Sequence, residues 1–271
     1  MINLGSDMNT SAAPEGPGLR DTVLEAKHVS QRYALRGGDE LLALSNVELS
    51  IKQGQFVSLV GPSGCGKTTL LKLFSGLLQP SEGEIRFNGE VVKQPSRAIG
   101  MVFQQAVLFP WRTVLHNVML PAEVVGLDRK ESRDRAEELL ELVGLKGFGS
   151  KLPSELSGGM QQRVAIARAF MHEPSVLLMD EPFGALDAFT RETLNDSLLD
   201  IWERFHKTVV FVTHSIEEAV YLSDVVVMMG PRPGRIIDIV DIDLPRRRSE
   251  ATRDDKRFVE YGRDLRRLLN H

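Results

Sequence analysis

The chain has 271 residues, 42% of them hydrophobic, which is enough to bury a large core; we expect one composite domain with a sub-lobe rather than two small domains. Its 33 basic and 37 acidic side chains leave a net charge of −4, which gives no global electrostatic reason to expect a nucleic acid or an anionic membrane as partner. The one cysteine, Cys65, excludes an internal disulfide and fits a reducing compartment, and the six histidines show no metal-ligand spacing.

Residues 1–22 predict a disordered tail. They are poor in large apolar side chains, and residues 11–18 are all small residues or proline apart from one glutamate. The start of the chain lacks a basic region followed by an apolar one, and nowhere do the roughly 20 apolar residues that span a bilayer occur together. We therefore expect a cytoplasmic protein whose folded part begins at Val23.

Short β-like runs dominate the chain from Val23 to about residue 90. They are separated by turn signals such as the pair at residues 88–89. The predicted strands are 23–26, 47–51, 56–60 and 84–87. This pattern predicts a β-rich first lobe that merges into a larger core.

A glycine-rich loop follows the third of these strands and precedes a helix-like run at residues 69–74. Its eight residues match the phosphate-binding pattern G-x-x-x-x-G-K-[ST] at every fixed position. They are Gly61, Pro62, Ser63, Gly64, Cys65, Gly66, Lys67 and Thr68. The alternative is a glycine turn with a chance lysine, and background composition gives such a match a chance of roughly one per cent in a chain of this length. We therefore predict a nucleotide-binding site.

The residue types of this loop suit a polyphosphate and a magnesium ion. The glycines let main-chain N–H groups close on an anion, and the positive end of the following helix dipole points towards it. Lys67 adds a mobile point charge for the outer phosphates, and the Thr68 hydroxyl is a suitable Mg²⁺ ligand. Small size, rather than redox chemistry, explains the choice of Cys65.

Helical periodicity dominates residues 112–172. Within them, residues 132–143 place four apolar side chains on one face, which we interpret as core packing. Residues 105–114 are rich in bulky apolar groups, and two interpretations of them remain open. They form either a docking surface for a partner helix or a buried part of the helical lobe.

Near-continuous apolar runs return in the last third of the chain. The runs 176–179, 208–212 and 225–229 alternate with helical patterns at 189–205 and 215–222. Such alternation predicts an α/β fold with a buried parallel sheet flanked by helices.

An acidic pair, Asp180 and Glu181, ends the first of these late strands. Beside a phosphate loop, the Asp180 carboxylate can orient Mg²⁺ through its water shell. Glu181 can polarise a water for in-line attack on a γ-phosphate. Acidic pairs at strand ends are often only solvated turn residues, but the phosphate loop favours the functional interpretation.

A second motif lies between the phosphate loop and the acidic pair, at the start of a helical run. It consists of Leu156, Ser157, Gly158, Gly159, Met160 and Gln161. A serine before two glycines has the composition of a helix N-cap, and the same geometry points unpaired N–H groups at any nearby anion. This string resembles the LSGGQ signature of the ATP-binding-cassette (ABC) ATPases, from which Met160 is a minor departure.

The resemblance covers about residues 23 to 240 and implies an ABC ATPase domain over residues 23–245. Such a domain is an α/β P-loop NTPase with a RecA-like, mostly parallel core. It also has an N-terminal antiparallel β-subdomain and an inserted α-helical subdomain, here at about residues 105–172. The resemblance further implies a homodimer in which residues 156–161 of one chain cover the ATP bound by the other.

Four more family positions can be matched residue by residue. Gln104 matches the Q-loop glutamine, with the neighbouring glutamine as an alternative. The D-loop position corresponds to Asp187, and His214 matches the switch histidine. Tyr33 matches the aromatic ring that stacks on adenine, with a packed residue of the β-rich lobe as the alternative.

These matches imply a division of labour at the site. Tyr33, residues 61–68 and Thr69 would bind ATP. The metal ligands would be Thr68, Gln104 and Asp180. The catalytic residues would be Gln104, Glu181 and His214. Glu181 would orient or deprotonate the attacking water and His214 would hold the γ-phosphate.

Three further segments, residues 108–114, 230–236 and 243–246, resemble the bacterial import ATPases for nitrate, sulfonates, taurine and related small anions. This implies a peripheral subunit on the cytoplasmic side of the inner membrane, with ATP and Mg²⁺ as cofactors. Its partners would be a second copy of the chain, two transmembrane permease subunits whose coupling helix meets residues 105–114, and an external solute-binding protein, without nucleic acid.

Other function classes remain open. A soluble ABC ATPase serving translation or DNA repair is disfavoured by the single cassette. A non-hydrolysing regulatory subunit is disfavoured by the intact Lys67, Asp180, Glu181 and His214. An exporter subunit differs from an importer subunit only by subfamily resemblance, and the transported solute cannot be read from the sequence.

Residues 246–271 predict a helical C-terminal extension. Phe258, Tyr261, Leu265 and Leu268 lie near one face of this helix. Interleaved acidic residues argue against binding to a membrane surface, so we expect the helix to dock on the core.

Overall fold

The computed structural model describes residues 22–246 and 248–269. The predicted tail, residues 1–22, lies outside the described residues except for Thr22, which begins the first strand. Arg247 and residues 270–271 of the predicted C-terminal extension also lie outside the described residues.

The chain alternates between strands and helices, with a strand-rich start. The strands are β1 (Thr22–Ala34), β2 (Glu40–Lys52), β3 (Phe56–Val60), β4 (Glu82–Phe87), β5 (Glu90–Val91), β6 (Ile99–Val102), β7 (Val176–Asp180), β8 (Thr208–Thr213), β9 (Val225–Met229) and β10 (Ile236–Asp241). The helices are α1 (Lys67–Phe74), α2 (Val114–Val125), α3 (Arg129–Leu142), α4 (Gly158–Phe170), α5 (Ala188–Phe205), α6 (Ile216–Leu222), α7 (Glu250–Arg253) and α8 (Lys256–Leu269).

A six-stranded sheet forms the centre of the fold, in the order β10-β9-β3-β8-β7-β6. The strands from β9 to β6 are parallel, and only β10 is antiparallel to its neighbour. Every residue of β3, β7, β8 and β9 is buried, because helices and the second sheet cover both faces. The parallel sheet predicted from the late apolar runs is confirmed.

A smaller antiparallel sheet packs beside it, in the order β2-β1-β4-β5. Strands β1 and β2 extend well beyond the predicted runs 23–26 and 47–51. The sequence prediction stopped short because several register shifts interrupt the pairing of β1, and polar residues such as Gln31 and Arg32 break the apolar alternation.

Helices α2, α3 and α4 pack on one another within residues 105–172. Each begins after a polar residue whose side chain accepts a hydrogen bond from the first turn, namely Thr113, Asp128 and Ser157. Their apolar faces join the same core cluster as β7 and β8. Among the described residues, no helix combines the length and the apolar character needed to cross a membrane.

The C-terminal extension docks on the core, as the sequence predicted. Helix α8 contacts α6 and β9, and it buries Phe258 and Leu265 against them. Arg248 leads into this extension and donates hydrogen bonds to the carbonyl oxygens of Val220, Tyr221 and Ser223 at the end of α6.

Candidate functional site

The predicted site residues follow the carboxyl ends of neighbouring parallel strands. The phosphate loop follows β3, the pair at residues 180–181 ends β7, and His214 follows β8. Since these three strands are adjacent in the order β3-β8-β7, their ends meet at one edge of the sheet. Ligands of open α/β sheets bind at this edge.

The phosphate loop turns tightly from β3 into α1. Gly66 caps α1 with a φ of 98°, and a Cβ at this position would lie 2.5 Å from the Leu44 side chain, so only glycine fits. The Lys67 ammonium donates to the carbonyl oxygens of Gly61 at 2.8 Å and Pro62 at 3.2 Å. Lys67 therefore lies along the loop, with its charge held next to the backbone that would surround an anion.

Cys65 lies on the buried side of this loop. Its side chain is only 1% exposed, and burial raises the pKa of the thiol. A buried, protonated thiol is a poor nucleophile. This agrees with the interpretation that Cys65 occupies its position because it is small.

Thr68 and Asp180 offer adjacent hard oxygen donors. Thr68 Oγ1 donates to Asp180 Oδ1 at 2.8 Å. Asp180 is 9% exposed, and burial raises its pKa although the bond from Thr68 acts in the opposite direction. A buried carboxylate beside a hydroxyl fits Mg²⁺. Within residues 22–246 and 248–269 no group of three His, Cys, Asp or Glu could hold a metal, so the ion would also need phosphate and water ligands.

Glu181 stands at a sharp turn directly after β7. Its φ is 43°, unusual for a residue with a side chain, and its N–H donates to the Val212 carbonyl oxygen at 3.0 Å. His214 Nδ1 lies 3.6 Å from Glu181 Oε2. This turn therefore brings a carboxylate and an imidazole together beside the phosphate loop.

The turn that carries His214 is held by a buried hydrogen-bond chain. The Thr213 hydroxyl donates to the Glu218 carboxylate, and Ser215 N–H donates to Thr213 Oγ1 at 3.0 Å. Sequence reasoning did not single out Thr213 or Glu218. Their only signal was polarity at the end of a buried strand and in the first turn of the following helix.

A pocket opens above the phosphate loop. The predicted site residues that line it are Tyr33, Ser63, Gly64, Gly66, Lys67, Thr68, Thr69 and Glu181. The Tyr33 hydroxyl lies 3.3 Å from Thr69 Oγ1, so the β-rich lobe reaches the start of α1. Leu41, Ala43 and Arg232 also line the pocket, and the sequence prediction did not include them.

Gln104 does not line this pocket. It follows β6, the edge strand of the sheet, and β7 and β8 separate β6 from β3. The Gln104 side chain is exposed. Its loop is joined to α4 by Gln162 Nε2, which donates to the Phe103 carbonyl oxygen at 3.1 Å.

The motif 156–161 and Asp187 also lie outside the pocket lining. Leu156 is buried, whereas Ser157 and Gly158 are exposed at the start of α4. Ser157 Oγ accepts from Met160 N–H at 3.3 Å, as the N-cap prediction required. Met160 packs against the core, and two further side chains have local hydrogen-bond partners: Gln161 Nε2 donates to two backbone carbonyl oxygens, and Asp187 caps α5.

Comparisons with known proteins point to one family. A model of the ABC transporter family matches residues 44–184. The taurine import ATP-binding protein TauB of Rhizobium johnstonii is 45% identical over 253 residues, which cover 92% of this chain and 97% of that protein. The aliphatic sulfonates import ATP-binding protein SsuB of Bacillus cereus is 49% identical over 228 residues, which cover 84% and 89%.

Solved structures give the same result. A dimeric structure of the ATP-binding cassette MJ0796 in a post-hydrolysis state, bound to ADP and Pi, has a TM-score of 0.73 and 36% identity. The match covers 82% of this chain and 100% of that chain, and it confirms the predicted fold class. A core with a phosphate loop and an acidic pair, matched at this level, shows that the chain belongs to the ABC transporter family as one of its ATP-binding-cassette ATPases.

Proposed function

We propose that the chain is the ATP-hydrolysing subunit of an importer for a small anion of the sulfonate, taurine or nitrate type. The observation that carries this proposal is the identity of 45% and 49%, over most of the chain, to proteins named for taurine and aliphatic sulfonate import. The nitrate member of this group rests on the sequence resemblance alone.

In this proposal the pocket above the phosphate loop binds ATP. Tyr33 stacks on the base, the loop amides and Lys67 hold the phosphates, and Thr68 and Asp180 hold Mg²⁺, with Gln104 joining them once the nucleotide is bound. The ion supplies charge neutralisation of the phosphate oxygens. Glu181 orients the attacking water, and His214, 3.6 Å from it, holds the γ-phosphate.

We propose a homodimer as the active unit. Ser157 and Gly158 are exposed, away from the phosphate loop of their own chain, so their N–H groups remain available to a nucleotide held elsewhere. The structural relative with ADP and Pi is described as a dimer, which supports a dimeric state. In that arrangement Asp187 lies at the interface.

A permease is proposed to dock on the groove beside α2 and α4. The groove has a volume of about 520 Å³ and is lined mainly by apolar side chains, among them Val107 and Phe109. Trp111 is 73% exposed and its ring lies 5.1 Å from that of Phe109. An exposed apolar patch of this kind is typical of a protein interface, and it supports the docking interpretation of these residues.

The experiment is reconstitution of the chain with its permease, followed by ATPase assays in the presence of binding proteins loaded with taurine, an alkanesulfonate or nitrate. We expect one loaded binding protein to stimulate phosphate release several-fold, whereas the same protein without solute should not. An exporter would hydrolyse ATP without any binding protein. A soluble pool of the chain associated with ribosomes or DNA would contradict the proposal.

A further inference from the structure

Arg232 is the one cationic side chain besides Lys67 among the described residues that line the nucleotide pocket. Its Nε donates to the Gly64 carbonyl oxygen at 3.2 Å, on the phosphate loop itself. A Cβ at Gly64 would lie 3.0 Å from Arg232 Nη2, so the guanidinium rests against the loop backbone. Neither the motifs nor the family matches gave this residue a role.

The loop that carries Arg232 is held by contacts to strand β2 on one side and to the phosphate loop on the other. Gly234 N–H donates to the Ala43 carbonyl oxygen at 2.9 Å, and Ser45 N–H donates to the Gly234 carbonyl oxygen at 2.9 Å. On the other side, a Cβ at Gly234 would lie 1.8 Å from the Cys65 carbonyl oxygen, so only glycine permits this contact. The loop is therefore clamped between β2 and the phosphate loop, and it delivers Arg232 to a defined position.

The charge of this guanidinium is available to a ligand. Among residues 22–246 and 248–269, its hydrogen bond to the Gly64 carbonyl oxygen is its only one, and no carboxylate forms a salt bridge with it. An arginine has five N–H donors, and Nη1 and Nη2 carry four of them. A planar cation with unused donors at the wall of a pocket built for a polyphosphate suits phosphate oxygens.

We propose that Arg232 is a nucleotide-binding residue, whose guanidinium binds phosphate oxygens of the nucleotide while it also braces the phosphate loop at Gly64. The inference rests on the assignment of this pocket as the nucleotide site, and not on the import function. It adds a contact from the loop after β9 to those from the phosphate loop and from Tyr33.

The test is a titration of the purified chain with MgATP and MgADP, compared with the variants Arg232→Ala and Arg232→Gln. Both variants should bind MgATP about tenfold more weakly, the loss expected for one charge-assisted contact. Arg235→Ala is the matched control, because Arg235 is exposed on the same loop, does not line the pocket and keeps its backbone bond to Gly230. It should stay within twofold of the unmodified chain.

Two readouts separate nucleotide binding from a purely structural role. Arg232→Gln keeps hydrogen-bond donors for Gly64 but has no charge, so the affinity of this variant should fall less steeply with added KCl than that of the unmodified chain. Without nucleotide, the melting temperature of Arg232→Gln should equal that of the unmodified chain, whereas the increase in its melting temperature caused by MgATP should be smaller. Unchanged affinity of either variant, or equal salt dependence, would overturn the proposal.

If Arg232→Ala leaves MgATP affinity unchanged, the variant Lys67→Ala shows whether the role of Arg232 or the assignment of the pocket is wrong. If this variant loses affinity while Arg232→Ala does not, the pocket assignment stands and the role of Arg232 is wrong. If neither variant loses affinity, the assignment of the whole pocket is wrong, and with it the proposal. The question of importer or exporter affects neither result, because the assay contains no permease.

Discussion

Glu181 combines an unfavourable backbone conformation with a position at the pocket above the phosphate loop. A side chain at a φ of 43° costs on the order of 1–3 kcal/mol, and such a conformation persists only where its surroundings enforce it. Here the bond from Glu181 N–H to Val212 and the bond from Gly184 N–H to the Glu181 carbonyl oxygen enforce it. The turn fixes the carboxylate beside His214 and the phosphate loop, where an attacking water would have to be oriented.

The substitution Glu181→Gln tests this position. The amide keeps the shape of the side chain but is a far weaker base, so we expect ATP hydrolysis to fall by at least about 100-fold while MgATP affinity stays within about threefold. Phosphate release and a nucleotide titration measure the two quantities. Glu90→Gln, an exposed change of the same type on β5, should alter neither. Retention of full hydrolysis by Glu181→Gln would remove this residue from the role of base.

At the residue scale, the site could be predicted where spacing along the chain encodes it. Eight consecutive residues suffice to recognise the phosphate loop, and the end of an apolar run suffices to recognise the acidic pair. Arg232, Leu41 and Ala43 could not be found in this way, because strand β2 and the loop after β9 are distant in sequence and reach the pocket only through packing. The sequence around Arg232 does not predict that this loop is held between β2 and the phosphate loop, because backbone contacts hold it there.

At the scale of elements, the docked helix α8 contributes buried side chains to the core. Leu265 is 1% exposed on this helix, whereas Val259 on the same helix is 59% exposed. Leu265→Ala should lower the free energy of unfolding by about 2–4 kcal/mol, because it removes buried methyl groups and leaves a cavity. Urea denaturation measures this change.

Val259→Ala is the matched control, and its effect should stay within about 0.5 kcal/mol. Both variants should bind MgATP like the unmodified chain, since α8 lies away from the pocket. Equal stability of the two variants would contradict the docking of α8 in solution.

The elements differ in how far the sequence revealed them. Strands β7, β8 and β9 are buried on both faces, so their apolar runs predicted them closely. Strands β1 and β2 were predicted too short, because pairing through several register shifts mixes exposed and buried residues without a strict period of two. Hydrophobic periodicity reports burial, and it fails where the hydrogen-bond ladder continues through exposed residues.

At the scale of the whole molecule, the two segments predicted to bind phosphate lie at different places on the chain. The phosphate loop and Glu181 line one pocket, with His214 next to Glu181, whereas the exposed N-terminal end of α4 lies outside the pocket lining. Within the described chain, Gly158 has no neighbouring atom within 4 Å of a Cβ built on it. An exposed helix start with open space in front of it is suited to a surface that another molecule completes.

Gly158→Asp tests whether that other molecule is a second copy with its bound ATP. An acidic residue in the first turn of α4 interacts favourably with the helix dipole, and the space can hold the side chain, so the monomer should fold and bind MgATP normally. The same carboxylate would face the phosphates held by the partner chain and repel them.

Light scattering measures the dimer directly. We expect the variant Glu181→Gln to form an ATP-dependent dimer, and the double variant Glu181→Gln with Gly158→Asp to remain monomeric. The single variant Gly158→Asp should also lose hydrolysis by at least about 100-fold, since closure assembles the site. A double variant that still dimerises with ATP would place the partner's nucleotide away from α4, and the proposed dimer, in which residues 156–161 of one chain cover the ATP of the other, would be wrong.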